Sequence, residues 1–378
     1  MLNKKMKIAM FGHKRIPSRE GGVEIVVEEL AVRMAKKGNQ VTVYNRKGHH
    51  VAGKEFEQTK KIKNYKGVKI KTVFTFQSSK LNAVVYSFLA ALKTAFGNYD
   101  VVHIHAEGPA SMAFIPKMFG KKVIVTIHGL DWQRSKWGGF ATRFLKWGEK
   151  NAAKYADEII VLSKNVQQYF IDTYGKKTVY IPNGIEKPVI KNDNKIKAKY
   201  GIEKNEYILY LGRIVPEKGI HYLINAYNQI STNKKLVIAG GASHTGEYMA
   251  QVKELAKINK NIIFTDFVQG EILEELYSNA YVYCLPSDLE GMPLSLLEAM
   301  SYGNCCLTSD IAECTEVCGE NAKHFKKGNT EDLKKQLNSL LNNENEVLNY
   351  KKNAADYVLS KYNWNDITNK TLNLYKKG

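Results

Sequence analysis

The chain has 378 residues, 44% hydrophobic and 25% charged, a balance that excludes a disordered, collagen-like or fibrous protein and, at roughly 150 residues per domain, makes two domains. The formal charge is +19, and all of the excess lies in the first half: residues 1–182 carry 32 Lys/Arg against 13 Asp/Glu, residues 183–378 carry 24 of each. Two halves with such different electrostatics point to different partners.

Lys4, Lys5 and Lys7 precede only Ile8-Ala9-Met10-Phe11, too short an apolar core for a secretory signal. The run Lys7–Phe11, ending at Gly12, predicts a buried strand. A loop rich in Gly, Pro and charge follows over 13–22. Val23, Val26, Val27, Leu30 and Met34 then recur at helical spacing, and Gly38 closes that helix. Residues 41–44 read as the next strand, and 54–71 as a concentrated basic segment. The longest apolar run, 81–92, is interrupted by Asn82, and at about 12 residues it falls short of the ~20 that a membrane-spanning helix needs. Val101–His105, 123–127, 158–162 and 179–181 continue the series of strands, with helices between. The chain turns at Pro182-Asn183-Gly184, and 186–206 is polar and rich in Lys and Asn, as at a domain border. The pattern then restarts with strands at Tyr207–Leu211, 236–239, 262–264, Val282–Leu285 and 305–308. Tyr362-Asn363-Trp364 leads into a short amphipathic helix carrying Ile367, Leu372 and Leu374, which needs a surface to dock on.

This alternation predicts an α/β protein of two Rossmann-like doubly wound domains, 1–182 and 183–361, facing each other across a cleft. In open parallel sheets ligands bind at the carboxyl ends of the strands. Without an export signal, Cys284, Cys305, Cys306, Cys314 and Cys318 are expected to be reduced thiols. Their spacing fits no zinc pattern, so no metal site is expected.

The strongest chemical signal is Glu290-Gly291-Met292-Pro293-Leu294-Ser295-Leu296-Leu297-Glu298. It follows a strand and opens a helix, with Pro293 suited to the first helical position. The N–H groups from Gly291 to Leu294 then make an anion site, reinforced by the helix dipole, between two carboxylates. Hydroxyls at both ends and phosphates in the middle describe a nucleotide sugar. The second signal is Gly212-Arg213 with Lys218-Gly219, after the strand Tyr207–Leu211. Arg offers a fork and Lys a point charge, enough to neutralise a diphosphate without metal. The alternative is a surface ion pair with Glu217. The third is Gly21-Gly22 before a helix, where backbone N–H groups approach a phosphate closely or merely turn the chain. It is not the dinucleotide-binding G-x-G-x-x-G pattern. The fourth is His128, at the end of strand 123–127, placed to hydrogen-bond a sugar hydroxyl or to serve the structure. His103 and His105 alternate on one strand face and read as packing or supporting groups.

Together these residues resemble glycosyltransferase family 4, retaining enzymes of the GT-B fold. The resemblance rests on Gly21-Gly22, Thr126-Ile127-His128-Gly129, Ala156-Asp157 through Ser163, Ile181-Pro182-Asn183-Gly184, Gly212-Arg213, Lys218-Gly219 and Glu290 through Glu298. The segment from Phe11 to Glu24 is also similar to the subgroup with bacterial rhamnosyltransferases and other polysaccharide-assembly enzymes. The resemblance implies that Arg213 and Lys218 hold the donor diphosphate. Glu290 would contact the sugar, Glu298 the ribose, and Phe267 and Val268 the base, while Gly291, Met292, Pro293 and Leu294 offer their backbone. Gly22 would approach the phosphates and His128 would lie beside the reacting carbon. It implies a final helix, 362–378, that crosses back to the first domain. One departure is Asp266, where family members often have Gly.

The expected reaction is metal-independent transfer from a nucleotide sugar, UDP-linked by preference and dTDP-rhamnose or a GDP-sugar otherwise, to an acceptor hydroxyl. The first domain would take the acceptor, a lipid-linked saccharide of capsule, exopolysaccharide or O-antigen synthesis. Its aromatic and cationic stretch, Arg134 to Trp147 with Trp137, Phe140 and Lys146, fits an anionic membrane surface. That predicts a cytoplasmic protein on the inner membrane face. Other readings are a 2-epimerase or non-catalytic binder of the same sugar nucleotides. A nucleic-acid-binding protein is favoured by charge alone and leaves Glu290 and Glu298 unexplained.

Overall fold

Short runs of β-branched and aliphatic residues, apolar on both faces, fit strands sandwiched between helices. The computed structural model describes residues 5–48, 62–76, 82–134, 138–241 and 246–377. Among the described residues fourteen strands are formed: β1 Lys7–Phe11, β2 Gln40–Arg46, β3 Asn64–Tyr65, β4 Val68–Val73, β5 Val101–His105, β6 Lys122–Ile127, β7 Glu158–Val161, β8 Val179–Tyr180, β9 Tyr207–Leu211, β10 Lys235–Ala239, β11 Ile262–Asp266, β12 Val282–Leu285, β13 Cys305–Ser309 and β14 Lys323–Phe325. They make two sheets, ordered β3-β4-β2-β1-β5-β6-β7-β8 and β11-β10-β9-β12-β13-β14. Every pair is parallel except β3 with β4. Each sheet is the Rossmann-like, doubly wound layer that the alternation of elements predicts.

The chain divides into one unit of Met1–Asn183 with Trp364–Gly378 and a second of Gly184–Asn363. Tyr362 and Asn363 remain with the second unit because Ile185 N–H donates to the Tyr362 carbonyl at 2.7 Å and Ile185 bridges to Asn363. The helix Trp364–Lys376 belongs to the first unit and buries Trp364, Ile367, Leu372, Leu374 and Tyr375 there. The Arg33 guanidinium lies 5.9 Å from the Trp364 ring centre, and the Tyr375 hydroxyl lies 2.6 Å from His103 Nδ1.

Three local features depart from the sequence reading. Part of the basic segment 54–71 is a hairpin: Lys66 and Gly67 both take positive φ, 46° and 86°, as a tight two-residue turn requires. In β4, Val68 and Ile70 point inward while Lys69 and Lys71 stay exposed, so the lysines mask a strand of period two. Pro293 precedes the helix Leu294–Ser301 rather than starting it, because its ψ of 101° is extended. The stretch 54–61, Leu81 and Trp137 lie outside the described residues.

Candidate active site

In the second unit the motif residues stand on loops at the carboxyl ends of β9 and β12. β9 feeds into Gly212-Arg213, whose backbone is pinned on both sides: Gly212 N–H donates to the Ala239 carbonyl and Ile214 N–H to the Gly241 carbonyl, each at 3.0 Å. The buried Tyr210 hydroxyl donates to the Arg213 carbonyl at 2.9 Å. No ion pair or hydrogen bond engages the Arg213 guanidinium among the described residues. A short turn, Pro216–Lys218, follows. Gly219 closes it at φ +64°, and a Cβ there would stand 2.0 Å from the Pro286 carbonyl. Only glycine lets this loop lie against the loop after β12. Asp288 N–H completes the junction by donating to the Glu217 carbonyl at 2.9 Å.

This junction brings Lys218 to Glu290. Nζ lies 2.5 Å from Oε1, with side chains only 12% and 8% exposed. The Ser287 hydroxyl donates to the same oxygen at 2.7 Å. So the partner of the Lys218 cation is Glu290, 72 residues on, and not Glu217. A nearly desolvated pair of this kind is costly unless hydrogen bonds satisfy it. It leaves an ammonium and a carboxylate preset at the mouth of the helix Leu294–Ser301, where Leu296 N–H donates to the Pro293 carbonyl at 3.1 Å and the N–H groups of Leu294 and Ser295 precede any acceptor within the helix.

Glu298 sits on that helix and is held separately: the Tyr277 hydroxyl donates to its Oε2 at 3.0 Å. Burial, and then the carboxylate beside it, push the Tyr277 hydroxyl well above its ordinary range, so it stays protonated and donates. Tyr277 stacks on Tyr302 with ring centres 5.3 Å apart. Phe267 and Val268 follow β11, half-buried. The turn before them needs a left-handed residue, and Asp266 takes φ +56°, a conformation Asp tolerates better than most non-glycine residues.

In the first unit, Gly22 is the exposed first residue of the helix Gly22–Lys36, and Gly21 caps it in extended conformation. Glu24 folds back over Gly21, where a Cβ would meet its Oε2 at 2.5 Å, and accepts from Lys14 N–H at 2.8 Å. His128 leaves β6 and meets His105 at the end of β5, Nε2 to Nδ1 3.1 Å. His105 packs on His103, ring centres 4.1 Å apart, and His103 Nε2 lies 2.7 Å from Thr126 Oγ1. Burial holds these imidazoles neutral: His128 is lowered to about 4 and His103 to about 3, with His105 well below its ordinary 6.5.

Beneath the loop after His128 lies a feature that sequence reasoning missed. Glu107 is fully buried and accepts from Asp131 N–H at 3.0 Å. Glu149 accepts from the hydroxyls of Tyr169 and Tyr174, at 2.9 and 2.8 Å. Burial first, then Asp131 and Glu149, push the Glu107 carboxyl well up. Oε1 of each carboxyl is buried with no hydrogen-bond partner among the described residues. The pair is 42 residues apart in sequence, so no local pattern announces it. Tyr277, 21 residues from Glu298, was missed for the same reason, whereas Ser287 lies only three residues before Glu290 in a loop without periodicity. The spacing His103-x-His105, by contrast, was a legible signal that two imidazoles share a strand face. Among the described residues no cluster of His, Cys, Asp or Glu has the geometry to hold a metal ion, and all five cysteines are buried free thiols.

Residues 20–187 match the family model described as Glycosyltransferase Family 4, and residues 192–357 the one described as Glycosyl transferases group 1. The chain is 24% identical to alpha-maltose-1-phosphate synthase of Mycolicibacterium smegmatis, over 98% of this chain and 99% of that protein. It is 28% identical to the UDP-Gal:alpha-D-GlcNAc-diphosphoundecaprenol alpha-1,3-galactosyltransferase of Escherichia coli, over 56% of this chain and 58% of that protein. Sucrose-phosphate synthase from Thermosynechococcus elongatus superposes with a TM-score of 0.81 at 20% identity, covering 98% of both chains. That likeness establishes the fold, GT-B.

Proposed function

The chain belongs to glycosyltransferase family 4 and is a glycosyltransferase, and from that premise we propose that it moves a sugar from a UDP-sugar to a hydroxyl of a lipid-linked saccharide, with retention at the anomeric carbon. The observation that carries this reading is the buried Lys218–Glu290 pair beside the helix Leu294–Ser301. When a donor binds, Lys218 turns to the diphosphate and Glu290 accepts hydrogen bonds from the sugar hydroxyls. Arg213 supplies a second cation, and the N–H groups of the helix's first turn face the same charge. The leaving diphosphate gains charge as the glycosidic bond breaks, so these preset donors act where charge develops. Glu298, held by Tyr277, takes the ribose diol. Phe267 and Val268 flank the base. No divalent metal is required, because the cations are side chains, and no protein nucleophile is required, because the donor phosphate accepts the acceptor's proton.

The first unit takes the acceptor, with His128 and Gly22 on its ligand side. UDP-Gal and a diphosphoundecaprenol-linked saccharide in the name of the Escherichia coli relative support a UDP-sugar and a lipid-linked acceptor here. The helix Gly139–Tyr155 adds a surface for such an acceptor. Phe140 and Trp147 are 83% and 44% exposed, and Arg143 and Lys150 are exposed on the same face. Aromatic and cationic side chains on one face suit an anionic bilayer interface. We place the protein on the inner membrane face, in assembly of a cell-surface polysaccharide. Among the described residues no helix is long and apolar enough to cross a membrane.

Lys218→Ala tests the site. Transfer from UDP-sugar should fall by about a hundredfold or more, as for loss of one charge-stabilising donor, and the melting temperature should drop, because Glu290 is left buried without its cation. UDP should raise the melting temperature of the intact protein in a concentration-dependent way, and less so in the variant. An unimpaired Lys218→Ala enzyme would remove the diphosphate assignment.

A further inference from the structure

His105 is fully buried. Its Nδ1 faces His128 Nε2 at 3.1 Å, while its Nε2 is buried with no hydrogen-bond partner among the described residues. Its ring lies between those of His103 and His128, with centres 4.1 and 5.3 Å away. A neutral imidazole carries one N–H and one bare nitrogen, so in the contact between His105 and His128 one ring donates and the other accepts. Were His128 the donor, the proton of His105 would sit on Nε2, a buried N–H facing no acceptor. Buried N–H groups without acceptors are the rarest kind of unsatisfied group. With His105 as the donor, the unpartnered atom is a bare nitrogen against neighbouring rings. His103 does not compete for either nitrogen, since Tyr375 and Thr126 occupy both of its own.

We propose that His105 is a positioning residue: it donates Nδ1–H to His128 Nε2 and so fixes His128 with its proton on Nδ1, as a hydrogen-bond donor and not a proton acceptor toward bound substrate. His128 is half-buried, and its Nδ1 has no partner among the described residues. Phosphate oxygens present only lone pairs, which an N–H stabilises and a bare nitrogen repels, and a sugar hydroxyl accepts from that N–H as well. The catalytic half of the proposal rests on the placement of His128 in the transferase site; the tautomer itself does not.

The experiment is nitrogen-15 NMR of histidine-labelled protein at neutral pH, with the His128 signals identified as the pair missing from His128→Asn. The expected spectrum has His128 protonated at Nδ1 and bare at Nε2. In His105→Leu the preference should be lost, kcat should fall at least tenfold and the donor KM should stay within about threefold. His105→Asn, whose amide nitrogen stands close to where Nδ1 was, should restore both the tautomer and most of kcat. A wild-type His128 protonated at Nε2, or a His105→Leu protein with the tautomer unchanged, overturns the proposal. If His105→Leu does not fold, the wild-type spectrum alone decides. A wild-type Nδ1–H tautomer in a protein that transfers no sugar would instead overturn the function proposed above and leave the role of His105 standing.

Discussion

At the scale of single residues, the first unit concentrates buried and half-buried imidazoles. His13, held at about 4, joins His103, His105 and His128 in being kept neutral mainly by burial. The consequence for stability has a definite sign. In the unfolded chain each of these rings takes up a proton below about 6.5, whereas the folded protein resists protonation down to about 4. The unfolded state then binds more protons, so stability falls as pH falls through that window and is flat above it. One such imidazole alone removes roughly 1.4 kcal/mol per pH unit inside the window. The midpoint of urea unfolding should therefore drop clearly between pH 7 and pH 5. Equal midpoints at the two pH values would show that the cluster is hydrated and protonated in the folded protein. Asp266 shows a different economy at the same scale: the turn demands a positive φ, and the residue type that departs from the family pattern is one of the few that tolerates it.

Elements are held at their working distance by single small residues. The helix Gly139–Tyr155 approaches the helix Glu107–Ala110 so closely that a Cβ on Gly148 would stand 2.0 Å from the Glu107 carbonyl. That approach buries the Glu107 and Glu149 carboxyls together and supports the loop that leaves His128. Gly148→Ala should destabilise the protein by about 2 kcal/mol, within the range for overpacking, and chemical denaturation measures it directly. A neutral Gly148→Ala would mean that the helices do not pack at this distance. Much at this scale was legible beforehand. The central strands β1, β5, β6, β9, β12 and β13 announce themselves as short apolar runs, because strands covered on both faces need no polar alternation. The hairpin β3–β4 was hidden because its exposed face is lysine, and β14 because three residues leave no period to read.

Across the whole molecule, charge divides along the chain. The net charge of +19 belongs to residues 1–182, on the unit that carries the exposed Phe140, Arg143, Trp147 and Lys150. Each cation near anionic lipid contributes about 1 kcal/mol, and the aromatic rings add interfacial burial. The intact protein should sediment with vesicles containing phosphatidylglycerol and not with purely zwitterionic ones. Replacing Phe140 and Trp147 by Ser should weaken this binding about tenfold or more while leaving turnover of a water-soluble acceptor analogue unchanged. Equal binding to both vesicle types, or none to either, would remove the membrane from the account.

The sequence by itself determined the fold class, the order of strands and helices apart from β3, β4 and β14, and the position of each motif at a strand's carboxyl end. These depend on local periodicity and on glycines and prolines that act within a few residues. Tertiary structure alone decided which side chains meet. Lys218 finds Glu290 rather than its neighbour Glu217, His128 rests on His105, and Glu107 shares its burial with Glu149. Such pairs join residues that lie on different loops and helices. Their partners are chosen by how closely two backbones approach, and that distance is set by packing across the sheet and not by any pattern along the chain.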